Sequence, residues 1–278
     1  MKRMRLLAVI VALSALSHSV DGAGTVVPLN TGFDHWTQLV YVPPPAAIST
    51  TRDDYWINLA SYPATIPPTD RTFLVRTTGA PWAPPLSFTS GGVTWGSSWI
   101  SAWNRNASQT IATPSNPAYT LFRKCFCLRE GFAKAEVVLK ARADDTIQVW
   151  LNTQLQTLVP PSWGNWNGTP VSGGTTNQQW FHPGVNCIYV LVEDFRGHMG
   201  LNLVGTISAI GLLAEPAKGT TGSFEPCSCE RGHGPTGAAP RGVGHEADQE
   251  VVNEIIKTAE ARRTAKEKIE YRGKQPKK

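Results

Sequence analysis

The sequence predicts an all-β protein, an antiparallel sandwich or barrel, and three observations support this class. Turn-forming residues are abundant, with 25 Gly and 21 Pro in 278 residues. Ten Trp accompany them, and aromatic residues favour strands. Short apolar stretches lie between the turns, and no segment before residue 245 has the apolar spacing of a helix. Strands without intervening helices are expected to pair antiparallel rather than in βαβ units.

The candidate strands are six to ten residues long and are separated by turn residues. They are Trp36–Val42, Tyr55–Ala60, Thr72–Thr77, Thr94–Ser101, Tyr119–Leu128, Ala135–Ala141, Thr146–Asn152, Asn186–Glu193 and Leu201–Ile210. In the seventh of these, Ile147, Val149 and Leu151 alternate with more polar neighbours. This alternation predicts a strand with one face in the core.

The net charge of +5 is confined to the two ends of the chain. Residues 6–213 carry 11 Lys or Arg and 11 Asp or Glu, so this body has no net charge. Nucleic-acid binding needs a basic patch or stripe, and the body has none in its sequence. We therefore expect no nucleic-acid partner.

The first 23 residues have the pattern of a secretory signal peptide. Three basic residues precede the apolar run Leu6–Leu16, and small residues follow it. We predict cleavage after Ala23, with Ser19 as the alternative. The run has roughly half of the about 20 apolar residues that a membrane helix needs, so we expect no membrane span after cleavage. The expected location is outside the cell, in the periplasm or at the cell surface.

The mature chain divides into three parts by composition. Residues 24–213 form the predicted β domain, and residues 214–244 form a Gly/Pro-rich linker that contains a Cys-x-Cys motif. Residues 245–278 form a charged tail with a short apolar stripe at helical spacing: Val251, Val252, Ile255, Ile256 and Ala259. A short helix of this kind is marginal alone. It is either solvated or docked through a protein partner or self-association.

Export places the cysteines in an oxidising environment, where pairing is expected. The five cysteines are Cys125, Cys127, Cys187, Cys227 and Cys229. Because five is odd, at least one is free or bonded to another chain.

Strand alternation suggests how the sulfurs pair. Residues two apart share a face, so Cys125 and Cys127 lie on the face opposite Phe126, and Cys187 faces outward too. We predict one cross-strand bridge from the first Cys-x-Cys to Cys187, with the second Cys-x-Cys joined to the body. Two alternatives stay open, namely two bridges between the motifs and a zinc site of four thiolates.

Five stretches resemble the galactose-binding-like jelly rolls that occur as accessory modules in secreted bacterial proteins and in glycoside hydrolases. They are Tyr119–Leu128, Ala141–Asp145, Val149–Asn152, Pro183–Asn186 and Gly200–Leu203. The resemblance covers most of the β domain and implies a jelly-roll β-sandwich. Some members of that family bind sugars and others act as structural spacers, so the resemblance by itself does not assign a function.

Most of the tryptophans are predicted to lie in the core or at its edge. Those in or near candidate strands are Trp36, Trp56, Trp95, Trp99, Trp103 and Trp150, and Trp82 lies in a Pro-rich loop. The other three belong to a predicted long loop from Pro160 to Trp180 that is rich in Asn, Gly, Thr and Gln.

This long loop has the composition of a carbohydrate site, because aromatic rings stack on pyranose faces while amides bond hydroxyls. The candidate ligand-binding residues are Trp163, Asn165, Trp166, Asn167, Gln179 and Trp180. We hypothesise that Trp163 and Trp166 stack on the sugar. The alternative is that the rings only cap the end of the sandwich. The predicted function is therefore a secreted, non-catalytic module that binds carbohydrate.

Adjacent acids provide the candidate calcium ligands, which are Asp53, Asp54, Asp144 and Asp145. The favoured alternative is structural, because Asp carboxylates at strand entries accept turn N–H groups. No other cofactor is expected.

An enzyme is the least favoured of three functional hypotheses. Two of the carboxylates of Glu193, Asp194 and Asp144 would have to face one cleft to hydrolyse a glycoside, and no Gly-x-Ser-x-Gly motif is present. The alternative to carbohydrate binding is a structural building block of an extracellular or cell-surface assembly, joined through its tail and cysteines.

Overall fold

The computed structural model describes residues 25–32, 52–53, 56–62, 72–74, 82–90, 93–102, 118–195 and 197–212, with positions 229, 253 and 257. The candidate strand Trp36–Val42, Trp103 and the signal peptide lie outside these residues. Between residues 25 and 212, the described residues form strands and one short 3₁₀ helix, which confirms the all-β class.

The strands follow one another along the chain and pair antiparallel. Their bounds are β1 (Thr25–Pro28), β2 (Arg52–Asp53), β3 (Ile57–Tyr62), β4 (Thr72–Leu74), β5 (Ser87–Ser90), β6 (Val93–Gly96), β7 (Ile100–Ser101), β8 (Ala118–Asp144), β9 (Thr146–Leu151), β10 (Thr153–Trp163), β11 (Val171–Thr175), β12 (Gly184–Asp194) and β13 (Gly200–Leu212). The 3₁₀ helix is Gln178–Trp180. β5 and β6 form a separate hairpin, and the other strands belong to one sheet.

β8 joins the two layers of the fold. The predicted strands Tyr119–Leu128 and Ala135–Ala141 are parts of this one strand, which passes through Gly131 at a φ of 72°. The first part of β8 pairs with β12 and β3, and the second part pairs with β13 and β11. The layers are therefore β3–β8–β12–β9–β10 and β11–β8–β13–β7–β4–β2, with β1 beside β13.

The core lies between these layers and is built from alternate residues, as the sequence predicts. The fully buried members from three strands are Val137, Leu139 and Ala141 of β8, Ile147, Val149 and Leu151 of β9, and Ile188, Val190 and Val192 of β12. Trp56 belongs to the same cluster, and its indole Nε1 donates to the Leu29 carbonyl at 3.2 Å.

Trp150 is buried, but it does not belong to this core cluster. It alternates with the core residues of β9 and pairs with Tyr189 of β12 on the opposite face. The cysteines of β8 and β12 are buried as well. The outer face of this layer is therefore covered, and Trp150 lies there rather than in the core where the sequence predicts it.

Two disulfides join the described cysteines. Cys125 bonds Cys187, its direct neighbour across β8 and β12, and Cys127 bonds Cys229 of the second Cys-x-Cys motif. The cross-strand bridge and the bond between the second Cys-x-Cys motif and the body are both present as expected. Four sulfurs in disulfides leave a four-thiolate zinc site without ligands. The remaining cysteine, Cys227, lies outside the described residues.

The prediction of a long loop from Pro160 to Trp180 is wrong. The segment contains the end of β10, all of β11 and the 3₁₀ helix. The sequence does not predict β11, because Gly173 and Gly174 interrupt the alternation of apolar and polar residues. Both glycines allow close packing, since a Cβ would overlap the carbonyl of Leu158 at Gly173 and that of Val137 at Gly174.

Two further residues of the chain, Asn253 and Lys257, have helical backbone and are exposed. They lie in the tail for which the sequence predicts a helix. Among the described residues, we find no helix of the length and apolar character that crossing a membrane requires.

Candidate functional site

The six candidate ligand-binding residues lie at two separate places along β9. Trp163 pairs with Thr146 at the start of β9, whereas the carbonyl of Trp180 accepts a bond from Asn152, just beyond its end. Six residues of extended strand span about 20 Å. We call these places the Trp163 end and the Trp180 end. The structure brings Asn165, Trp166 and Asn167 together with Trp163, but not Gln179 or Trp180.

At the Trp163 end, residues 163–168 form a segment, the Trp163 segment, whose first residues are fixed by backbone hydrogen bonds. Gly164 donates its N–H to the carbonyl of Asp145 at 2.7 Å, and its own carbonyl accepts the N–H of Ala143 at 2.9 Å. A Cβ at Gly164 would overlap the Ala143 carbonyl, so only glycine permits this approach. Trp163 is thereby fixed beside the Asp144–Asp145 turn.

The rest of the Trp163 segment is a tight turn. Gly168 donates its N–H to the Asn165 carbonyl at 3.0 Å, and Asn165 has a φ of 49°, a left-handed conformation that Asn tolerates. Asn165 and Asn167 are exposed. Their side-chain amides are therefore placed where a ligand in solution can reach them.

The two tryptophans of this segment have different environments. Trp163 is 66% exposed, whereas Trp166 is half-buried against a pair of stacked rings. The pair is Trp82 and Trp99, with ring centroids 4.4 Å apart. Trp166 therefore has a structural contact that the sequence did not predict, and Trp163 is the ring that faces solvent.

Asp144 lies beneath this aromatic cluster and accepts a hydrogen bond from the Trp82 indole N–H, at 2.7 Å from Nε1 to Oδ2. The pKa of Asp144 is raised to about 8, mainly by burial and to a smaller extent by the nearby negative charges of Asp145 and Asp194, while the Trp82 bond opposes the shift. The Trp82 contact was missed because 62 residues separate the partners and no local pattern links them.

The neighbouring carboxylates bond backbone N–H groups, as the structural interpretation of the acids expects. Asp145 Oδ2 accepts from Phe195 N at 2.9 Å, and the Asp194 carboxylate accepts from Gly197 N. In the part of the chain that is described, no three His, Cys, Asp or Glu side chains are grouped to hold a metal ion. Asp53 lies in β2, and Asp54 lies outside the described residues. Calcium binding at Asp144 and Asp145 stays a prediction.

The acids considered for catalysis end β12 beside this turn. The Glu193 carboxylate lies 3.4 Å from the Thr146 hydroxyl, which can donate to it. A glycosidase needs two carboxyl groups at the scissile bond, but Asp144 and Asp194 are both buried. Their burial gives the catalytic hypothesis no support.

At the Trp180 end, Gln179 is exposed, whereas the side-chain amides of Gln178 and Asn186 bond the protein itself. Gln178 Oε1 accepts from Ala135 N and its Nε2 donates to Ala135 O, both at 2.8 Å. Fully buried Asn186 accepts from Asn152 Nδ2 and from His182 N. Trp180 is half-buried and packs against the core. This ring caps the sandwich, which is the alternative that the sequence left open.

Comparison with known proteins does not assign a family. No protein-family profile matches the chain, and no curated protein matches it in sequence. Among solved structures, the chain is similar to a PA14 sugar-binding domain from an RTX adhesin, with a TM-score of 0.24 and 16% identity over 35% of this chain and 54% of that one. It is also similar to a family 35 carbohydrate binding module from Clostridium thermocellum, with a TM-score of 0.21 and 10% identity over 49% of this chain and 96% of that one.

The match spans about half the length of the first of these structures. TM-scores this low do not establish a shared fold. The fold and the site described above therefore rest on the residues and contacts of the chain itself.

Proposed function

We propose that the protein is a secreted, non-catalytic recognition module that binds carbohydrate at its Trp163 end. The observation that carries the proposal is the large exposed ring of Trp163, whose backbone is held next to Gly164 by hydrogen bonds. An exposed aromatic ring in a fixed place is the usual platform for the C–H face of a pyranose.

The amides of the same segment complement the ring. Asn165 and Asn167 each offer one carbonyl acceptor and two N–H donors, which suit vicinal hydroxyls. Gln179 and Trp180 are too distant to contact the same sugar ring, and Trp166 supports the segment from beneath. The proposed subsite is therefore narrower than the one predicted from the sequence: Trp163, Asn165 and Asn167.

The test compares two exposed apolar side chains of the same strand. Leu155 is 93% exposed on β10 and lies far from the Trp163 end, so Leu155→Ala is the matched control for Trp163→Ala. The wild type and both variants are applied to an array of neutral hexose and N-acetylhexosamine oligosaccharides. The glycan with the strongest signal is then titrated by calorimetry.

We expect Trp163→Ala to weaken binding by more than tenfold, while Leu155→Ala leaves the dissociation constant within about twofold. The melting temperatures of the two variants should match that of the wild type, since both side chains are exposed. Unchanged affinity in Trp163→Ala, or equal losses in both variants, would refute the proposed subsite.

A second candidate function is a structural building block of an extracellular assembly. The observation that favours it is the number of cysteines. The two bridges use four of the five, and Cys227 is then available for a bond to another chain. A non-reducing gel of the secreted protein tests this hypothesis. A dimer band that disappears in Cys227→Ser supports it, and a monomer alone contradicts it.

A further inference from the structure

Arg142 lies on the outer face of β8, half-buried, and contacts two segments that are remote from it in sequence. Its Nε donates to the carbonyl of Gly168 at 3.0 Å, and its Nη1 donates to the carbonyl of Pro84 at 2.8 Å. Gly168 is the last residue of the Trp163 segment. Pro84 belongs to residues 82–86, which we call the Pro84 segment.

The two segments also bond each other. Ala83 donates its N–H to the Trp166 carbonyl at 2.9 Å, and Trp99 Nε1 donates to the Ala83 carbonyl at 3.1 Å. Trp82, at the start of the Pro84 segment, packs in the cluster that contacts Trp166. The guanidinium of Arg142 therefore bonds both the Trp163 segment and the Pro84 segment. The Trp163 segment carries the exposed side chains of the proposed subsite.

The Trp163 segment thus has a fixed point at each end. Gly164 is held at the first end by Ala143 and Asp145, and Gly168 is held at the other end by Arg142. Asn165 and Asn167 lie between these points. Their direction in space depends on both fixed points and on the Trp166 carbonyl that Ala83 bonds between them, because each added contact restricts how the turn can pivot.

We infer that Arg142 is a positioning residue for the proposed carbohydrate subsite, acting by holding Gly168 and Pro84 together. The expected effect of Arg142 on glycan affinity rests on the proposed function, whereas its expected effect on the order of the two segments does not. A guanidinium suits this role because its several N–H donors have fixed directions and can bond two carbonyls at once. Burial lowers the pKa of Arg142, as expected of a cation partly removed from water.

The experiment uses the full-length protein and three variants. Arg142→Met keeps the apolar stem and removes the donors, and Arg142→Lys keeps the charge but offers one nitrogen for two carbonyls. Lys140→Met is the matched control, because Lys140 is an exposed cation two residues earlier on the same face of β8. Hydrogen exchange of residues 164–169 and 82–86 is measured by mass spectrometry, and affinity is measured with the oligosaccharide array.

In Arg142→Met we expect exchange in both segments to accelerate by at least tenfold, with residues 118–128 and 184–194 unchanged. The dissociation constant of Arg142→Met for the array glycan should rise by at least tenfold. The constant of Arg142→Lys should lie between those of Arg142→Met and the wild type, and Lys140→Met should match the wild type. Unchanged exchange in Arg142→Met overturns the inference whatever the glycan result. Faster exchange with unchanged affinity also overturns it. If the wild type binds no glycan on the array, the proposed function fails, and exchange alone decides whether Arg142 fixes the segment.

Discussion

The Trp163 end and the Trp180 end contain the same kinds of residue but use them differently. At the Trp180 end, Gln178 and Asn186 bond the backbone and the neighbouring side chains, and the tryptophan packs on the core. At the Trp163 end, the backbone of the segment is held by other backbone groups and by Arg142, which leaves Asn165 and Asn167 exposed. Side-chain amides are therefore available to a ligand only where the backbone does not use them as hydrogen-bond partners.

The largest effect separating the two ends should come from the disulfide nearest the Trp180 end. Cys187 bonds Cys125 across a 62-residue separation, and its N–H donates to Asn152 of the same end. Removing a bridge that closes such a loop lowers the free energy of unfolding by about 4 kcal/mol. We expect this loss in Cys125→Ala/Cys187→Ala, measured by urea unfolding. Glycan affinity at temperatures where the variant is folded should be unchanged, and its loss there would couple the ends.

The next largest effect on the free energy of unfolding is expected from one of two asparagines, Asn186 and Asn167. Asn186→Ala leaves the His182 N–H and the Asn152 amide without their acceptor, and we expect a loss of about 3 kcal/mol in the free energy of unfolding. Asn167→Ala removes an exposed amide, so stability should change by less than about 0.5 kcal/mol while glycan affinity falls. Calorimetry and urea unfolding of both variants test the contrast. A loss of affinity without a loss of stability in Asn186→Ala, and the opposite in Asn167→Ala, would contradict the roles assigned to the two ends.

Two glycines of the Trp163 segment allow a smaller and more local test. Gly164→Ala forces a methyl group into the Ala143 carbonyl, and overpacking of this kind costs about 2 kcal/mol. Gly168→Ala makes ordinary contacts of 3.6 and 3.9 Å with Asn165, so it should be tolerated. We expect binding to be lost only in Gly164→Ala, as measured on the oligosaccharide array. Equal binding by both variants would show that the position of Gly164 is unimportant for the ligand.

The last test is a pH dependence that belongs to the Trp163 end. Because burial raises the pKa of Asp144 to about 8, the folded state keeps a proton that the unfolded chain releases near pH 4. The native state then binds more protons, so this group lowers the free energy of unfolding as pH rises from about 4 to about 8. We expect a decrease of more than about 1 kcal/mol over that range.

Asp144→Asn should flatten this part of the pH profile of stability, because the amide does not titrate. Urea unfolding of wild type and variant at several pH values between 4 and 8 provides the measurement. An equal slope in both proteins would assign the pH dependence to another group.

Strand alternation made most of the core predictable. Alternate apolar positions of β9 and β12 lie in the core, and the shared face of the cysteines led to a bridge between the first Cys-x-Cys motif and Cys187, although it did not distinguish Cys125 from Cys127. β10 and β11 were not predictable from alternation. Pro160 and Pro161 interrupt the pattern of β10, and β11 has glycines where the close approach of neighbouring backbones leaves no room for side chains.

The candidate site was predictable only in part, for a different physical reason. Its exposed residues are adjacent in sequence, so composition revealed Trp163, Asn165 and Asn167. Its supports are not adjacent, because Trp82 reaches Asp144 and Arg142 reaches Pro84 across 62 and 58 residues. Contacts of that range depend on the pairing of distant strands, which local patterns do not contain.

The continuity of β8 has a consequence for how the protein folds. Its 27 residues serve both layers, so its partners are drawn from β3 near residue 57 to β13 ending at residue 212. Chain segments this far apart must meet before either layer is complete, which slows folding by raising the entropic cost of loop closure. We expect the two layers to form and melt as one cooperative unit, because neither can lose its share of β8 without releasing the edge of the other.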